Sequence, residues 1–269
     1  MTALQLSEFD LVILDIDGVL MLDDGPAPGA VRAVRSLRDR GKRVRFLTND
    51  ALNSRSDRLS ELRVAGFDAL DQELFTACSI TAELLRRGEP RRVQLLMAGN
   101  GRQDFAGLTL VDRDADVVVV GDVFDGYSRE AVQAAYTAIR GGAEFIAMQR
   151  NRYTWGGGTS RIDVGFWVAG LEFCTGRTAR VIGKPSQDCY LLVVHDADCE
   201  PGRAVMVSDD VPSDLRGARE AGLYTVHVGG STEGYSAQEH VDVAVADLHA
   251  WVQECIDDGG ASPPCQPNR

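Results

Sequence analysis

Along the chain, short runs of apolar residues alternate with stretches in which apolar positions recur every three or four residues. Residues 11–14, LVIL, are apolar at every position, which predicts a strand buried on both faces and running on to Asp15. From Pro28-Gly29 to about residue 40, Val31, Val34, Leu37 and Arg38 fall at helical spacing, and Gly41 ends the helix. A strand at 43–47 and a helix at 54–65, closed by Gly66, follow. The middle of the chain repeats the theme. It has predicted strands at 93–97, 117–120 and 144–147, and helices at 128–140 and about 163–174. A short strand at 180–182 leads into 183-GKPS-186. The last third returns to strongly apolar strands at 204–208, 224–228 and 241–245, with helices at 214–221 and 248–256.

Alternating strands and helices specify an α/β fold, with a Rossmann-like parallel sheet covered by helices. Residues 1–77 and 182–258 read as two parts of one core sheet. Residues 78–181 carry their own strands and helices and read as an inserted α/β cap domain over the sheet's active edge. The Gly- and Pro-rich residues 259–269 read as a flexible tail. No solenoid-type repeat is visible.

Composition narrows the function classes. Hydrophobic residues make up 44% and charged residues 25% of 269 positions, enough to build a sizeable core. The formal charge of −12, without a basic block, argues against nucleic acid and anionic membranes as partners. An anionic substrate must then be held by a local device. The first ten residues lack the pattern of a signal peptide, and no apolar run approaches the roughly 20 residues of a membrane helix. Six cysteines without C-x-x-C or zinc spacing are simplest as free thiols in a reducing compartment, so the expected location is cytoplasmic.

In an open parallel sheet, ligands bind beyond the carboxyl ends of the strands. Polar residues gather at those ends. The first strand ends in Asp15-Ile16-Asp17-Gly18, the second in Thr48-Asn49, and the strand at 204–208 runs into Asp209 and Asp210, with Asp214 four residues further on. Lys184 opens the segment that re-enters the core. Taken singly, each acid is an ordinary turn residue or helix cap, and the lysine an ordinary surface charge. Their joint order is what points to chemistry.

That order, 15-DIDGV-19, 48-TN-49, 184-KP-185 and 209-DDVPSD-214, resembles the four motifs of the haloacid dehalogenase-like (HAD) phosphotransferases. The insert, with 121-GDVFDGYS-128, 149-QRNRYTWGGG-158 and 163-DVGFWVAGLEF-173, is similar to the cap of the NagD-like phosphatases, which include 4-nitrophenylphosphatase-like and phospholysine/phosphohistidine/pyrophosphate phosphatase members. The resemblance implies a Mg²⁺-dependent phosphatase that acts on a small phosphorylated metabolite through an aspartyl-phosphate. Asp15 would be the nucleophile and Asp17 the general acid/base. Asp15 and Asp209 would hold Mg²⁺ by side-chain oxygens and Asp17 by its carbonyl. Thr48, Asn49 and Lys184 would bind the phosphoryl group. Asp214 would orient Lys184 or the waters on the metal, with Asp210 a weaker candidate for the same task. A homodimer through the cap is the protein partner implied.

Alternatives on the same site are a phosphotransferase, a phosphoamidase or a pyrophosphatase. The non-enzyme alternative is a catalytically silent HAD-like binding protein. Two residues depart from the usual pattern. Ser208 stands where glycine commonly precedes the metal aspartate, and Asp50 adds a carboxylate after Thr48-Asn49. Asp50 must either point away from the phosphate or cap the following helix. In the cap, Asn151, Arg152, Tyr153 and Trp155 form a polar and aromatic cluster that reads as a leaving-group wall or as an exposed loop or dimer contact; Asp125 and Tyr127 are weaker candidates. The four histidines show no ligand spacing and read as ordinary structural or surface residues.

Overall fold

The computed structural model of the chain describes residues 5–122, 126–156, 159–229 and 240–258. Strand β1 (Leu11–Leu14) leads into a small antiparallel hairpin of β2 (Met21–Leu22) and β3 (Gly25–Pro26), then α1 (Ala30–Asp39) and β4 (Arg43–Thr48). Next come α2 (Arg55–Val64), β5 (Leu74–Thr76), α3 (Ala77–Arg87), β6 (Arg92–Leu96), β7 (Thr109–Leu110), β8 (Val117–Val120), α4 (Arg129–Arg140) and β9 (Glu144–Ala147). An antiparallel pair, β10 (Tyr153–Gly156) and β11 (Thr159–Ile162), precedes α5 (Val164–Thr175), β12 (Arg180–Val181) and α6 (Gln187–Asp196). The chain continues with β13 (Ala204–Ser208), a π-helical turn at Val211–Leu215, α7 (Arg216–Glu220), β14 (Tyr224–Val228), β15 (Val243–Val245) and α8 (Leu248–Asp258). It divides into two compact units: residues 1–46 with 190–269, and residues 47–189.

In the first unit, five strands lie in the order β15-β14-β13-β1-β4, all parallel. The two central strands, β1 and β13, are buried at every position, as the unbroken apolar runs predict. Their register pairs Leu14 with Val207, so the two strand ends that carry the acids lie side by side. Helix α1 buries Ala30, Ala33, Val34 and Leu37. This face is rotated from the one expected: Val31 and Arg38 are only half-buried, and small alanines take the inward positions. Alanines allow close packing, and α1 lies against α8. Trp251 of α8 stacks on Phe9, with ring centroids 5.7 Å apart.

The second unit contains another parallel sheet, ordered β12-β9-β8-β6-β7, whose strands all fall between residues 92 and 181. Leu96, Val118, Val120 and Ala147 of this sheet share a core with Ala135 and Ile139 of α4 and Val164, Val168 and Leu171 of α5. The α/β class with two parallel sheets is the one the hydrophobic pattern predicts. Among the described residues, no helix is long and apolar enough to cross a membrane. Residues 259–269 and Asp125 lie outside the described residues, and the side chain of Trp155 is likewise not described.

Candidate active site

β1 is a rigid, dry arm, and its chain turns sharply as soon as it leaves the sheet. Asp15 N–H still donates to Val207 O at 3.0 Å, which extends the pairing with β13 by one residue. Ile16 O then accepts from both Leu20 and Met21 N–H at 2.9 Å, and Gly18 N–H donates to Met21 O at 2.8 Å, which closes a tight turn. Within that turn Ile16 points into the core at 1% exposure, Asp15 is buried and Asp17 is exposed. The i,i+2 spacing thus puts an apolar anchor between two acids.

Gly18 adopts φ +85°, a conformation that favours glycine, and a Cβ there would sit 2.2 Å from Asp209 Oδ2. The Asp209 carboxylate therefore lies directly against the turn that carries Asp15 and Asp17. Asp15 Oδ1 accepts from Ile16 N–H at 2.8 Å. Ser208, wholly buried at the end of β13, places its Oγ 3.3 Å from Asp15 Oδ2 and 2.7 Å from Asp214 Oδ2. The same Oγ accepts from Asp210 N–H at 3.1 Å. Asp210 is the N-cap of the π-helical turn, where its carboxylate accepts from Ser213 N–H at 2.9 Å. Asp214 is 2% exposed, and its carbonyl accepts from Tyr190 Oη at 2.8 Å. In this unit, then, Asp15, Asp209 and Asp214 are tied to one strand end.

Among the described residues no three His, Cys, Asp or Glu side chains are grouped so as to hold a metal alone. The donors around Gly18 nevertheless suit Mg²⁺, which prefers hard oxygens, needs only one or two carboxylates and keeps several waters. The carboxylates of Asp15 and Asp209 with a backbone carbonyl are such a set.

The second unit holds the remaining candidates. Thr48, buried at the end of β4, accepts from Asp50 N–H on its Oγ1 at 3.1 Å. Asn49 Nδ2 donates to Lys184 O at 2.9 Å, and Gly183 is needed beside it because a Cβ there would sit 2.6 Å from Asn49 Oδ1. The Asn49 side chain thus ties the Thr48 segment to the Lys184 segment. Lys184 is 2% exposed.

Asp50 turns its carboxylate onto the loop that precedes α2. Oδ1 accepts from Leu52 and Asn53 N–H, both at 2.8 Å, and Oδ2 accepts from Asn53 Nδ2 at 2.9 Å. Arg58 Nε stands 3.3 Å from Oδ2, charge-paired though off the line of a hydrogen bond. The cap of α2 is Ser54, whose Oγ accepts from Asp57 N–H at 3.2 Å, so the helix-capping arrangement considered for Asp50 is not the one seen.

Two neighbours of the strand ends escaped the sequence reading. One is the bridging contact of Ser208. The other is His227, which pairs with Ser208 in the register of β13 and β14 and is 5% exposed, with its ring hydrogen-bonded to the backbone of Asp209. Burial holds its pKa below the ordinary histidine value. The only signal for either was position at a strand end. In the cap cluster, Tyr127 is anchored rather than open, its Oη within 2.9 Å of Leu96 O and 2.8 Å of Gly121 O. Tyr153 is exposed and pairs with Ile162.

Two family profiles match, "Haloacid dehalogenase-like hydrolase" over residues 12–109 and "HAD-hydrolase-like" over residues 181–250. The chain is 32% identical over 217 residues to human haloacid dehalogenase-like hydrolase domain-containing protein 2, which covers 81% of this chain and 83% of the relative. It is 31% identical over 233 residues to the ribonucleotide monophosphatase NagD of Escherichia coli, covering 86% and 90%. A glycerol phosphate phosphatase of Mycobacterium tuberculosis, solved in complex with magnesium, superposes with a TM-score of 0.80 at 27% identity and covers 91% of this chain and 77% of that one. The chain belongs to the haloacid dehalogenase-like hydrolases. Within that family it is a NagD-like phosphatase, a hydrolase of phosphate esters.

Proposed function

We propose that the enzyme is a Mg²⁺-dependent phosphatase of a small phosphorylated metabolite and works through an aspartyl-phosphate on Asp15. The observation that supports this best is the packing of the Asp209 carboxylate against the Gly18 turn, beside a buried Asp15 at the end of a rigid strand. Asp15, Asp209 and the carbonyl of Asp17 hold the cation, whose charge offsets the repulsion between a carboxylate nucleophile and a dianionic phosphoryl group. An Asp15 oxygen attacks phosphorus in line, and the bond from phosphorus to the leaving oxygen breaks. Asp17 gives its proton to that leaving oxygen. It then takes a proton from the water that attacks phosphorus, the bond to Asp15 breaks, and phosphate leaves. Thr48 Oγ1–H, the Asn49 backbone N–H and the Lys184 ammonium bind phosphoryl oxygens, where charge accumulates in the transition state. Asp214 and Asp210 support this set from behind. Residues 78–181 act as the cap that selects the leaving group.

The test uses the purified full chain with 4-nitrophenyl phosphate. Hydrolysis is expected with Mg²⁺, is lost on adding EDTA and returns with excess Mg²⁺. Asp15→Asn is expected to abolish turnover with an unchanged circular dichroism spectrum, and Asp17→Asn to reduce it roughly 10²–10⁴-fold. Turnover that survives Asp15→Asn rejects the nucleophile. A panel of phosphate esters, phosphoamides and pyrophosphate then separates ester hydrolysis from the other reactions this site could run.

A further inference from the structure

Ser208 has one proton to give and stands between two carboxylates. Its Oγ lies 2.7 Å from Asp214 Oδ2 and 3.3 Å from Asp15 Oδ2, and one of its lone pairs is taken by Asp210 N–H. A hydroxyl has one donor and two acceptor positions, so it can donate to only one of the two acids at a time. The residue is wholly buried and held in the register of β13. Asp15 is fixed on its other side by Ile16 N–H to Oδ1. A glycine or alanine at 208 removes the Oγ that spans Asp15 Oδ2 and Asp214 Oδ2.

We infer that Ser208 is a positioning residue for the nucleophile: its hydroxyl bridges Asp214 to Asp15 and holds the Asp15 carboxylate in the rotamer from which it attacks. This rests on the proposed role of Asp15. Once bonded to phosphorus, the Asp15 carboxyl is an acyl phosphate and a poorer acceptor, so the Ser208 hydroxyl then donates its hydrogen bond to Asp214 alone. When hydrolysis restores the carboxylate, the same proton can serve Asp15 again. No proton leaves the trio.

Ser208→Ala and Ser208→Gly test this on the full chain with Mg²⁺. Release of 4-nitrophenol in a single turnover, with enzyme in excess, reports attack by Asp15 whatever limits kcat. Loss of the orienting contact should slow that step about tenfold in both variants, with KM unchanged. A purely structural serine would lower the melting temperature and leave the single-turnover rate of the folded protein as it was. Rates within twofold of the parent enzyme, in an enzyme that Asp15→Asn inactivates, overturn the positioning role alone. A parent enzyme that releases no 4-nitrophenol, or an active Asp15→Asn variant, overturns the proposed function and this inference with it.

Discussion

Asp50 shows how one residue out of pattern is absorbed. An extra carboxylate beside a strand end proposed to bind phosphate would repel the substrate if it were free to face it. Instead it accepts two backbone N–H groups and the Asn53 amide, and Arg58 stands against it; the two side chains are 10% and 9% exposed. Removing one partner of a buried pair leaves the other charge uncompensated and costs more than the pair contributes. Because Asp50 keeps three other donors, Arg58→Leu is expected at the low end of that range, about 3 kcal/mol of unfolding free energy by urea titration. A loss below about 1 kcal/mol would mean the pair behaves as an exposed one. Gly18 is the opposite case, a residue with no side chain at a place where none fits. Gly18→Ala should displace the Asp209 carboxylate, which a Cβ would approach to 2.2 Å. The expected result is a rise of at least about tenfold in the Mg²⁺ concentration giving half-maximal activity. An unchanged Mg²⁺ requirement would count against Asp209 as a ligand.

At the scale of elements, α5 carries a titration built into its cap. Asp163 accepts from Val164 N–H at 2.6 Å and Gln149 Nε2 at 2.8 Å, yet burial pushes its carboxyl above the ordinary 3.8. A carboxyl whose pKa is raised on folding binds more protons in the native state than in the unfolded one. Its contribution to stability is therefore present at low pH and is lost as pH rises through the raised value. Asp163→Asn keeps the accepting oxygen without the charge, so its melting temperature should gain on the parent's as pH rises from the ordinary 3.8 through the raised value. A difference that stays flat across that range would rule out the burial effect.

The same scale shows what the sequence could convey. The fully buried strands β1, β8 and β13 were legible because both faces are dry, so every position is apolar. The positions of the strand-end acids were legible with them. The pair β10–β11 is absent from the predicted strands, because period-two alternation needs one buried face and Thr159–Ile162 are all exposed. Helices α3 and α6 were also missed. In α6, Leu191, Leu192, Val193 and Val194 form a continuous apolar run that blurs helical spacing. Residues 211–215 form a π-helical turn ahead of a shorter helix than the spacing suggested. The Ser208 bridge was out of reach, since it depends on the register that sets Leu14 beside Val207, which no local pattern encodes.

For the molecule as a whole, the charge of −12 sets a condition on encounter with any phosphorylated substrate. A dianion approaching a strongly negative surface is repelled at long range, while Lys184, proposed to bind the phosphoryl group, is buried, so its charge would act only once contact is made. Salt screens the long-range part and barely touches the buried part. The screening length shrinks from roughly 30 Å at 0.01 M to about 8 Å at 0.15 M ionic strength. If the global field governs approach, kcat/KM for a dianionic aryl phosphate should rise over that salt range at saturating Mg²⁺, while kcat stays constant. A fall in kcat/KM would mean that the local positive field at the site reaches into solvent and outweighs the net charge. The measurement thus separates repulsion by the whole protein from attraction by a local field, and the buried position of Lys184 favours the rise.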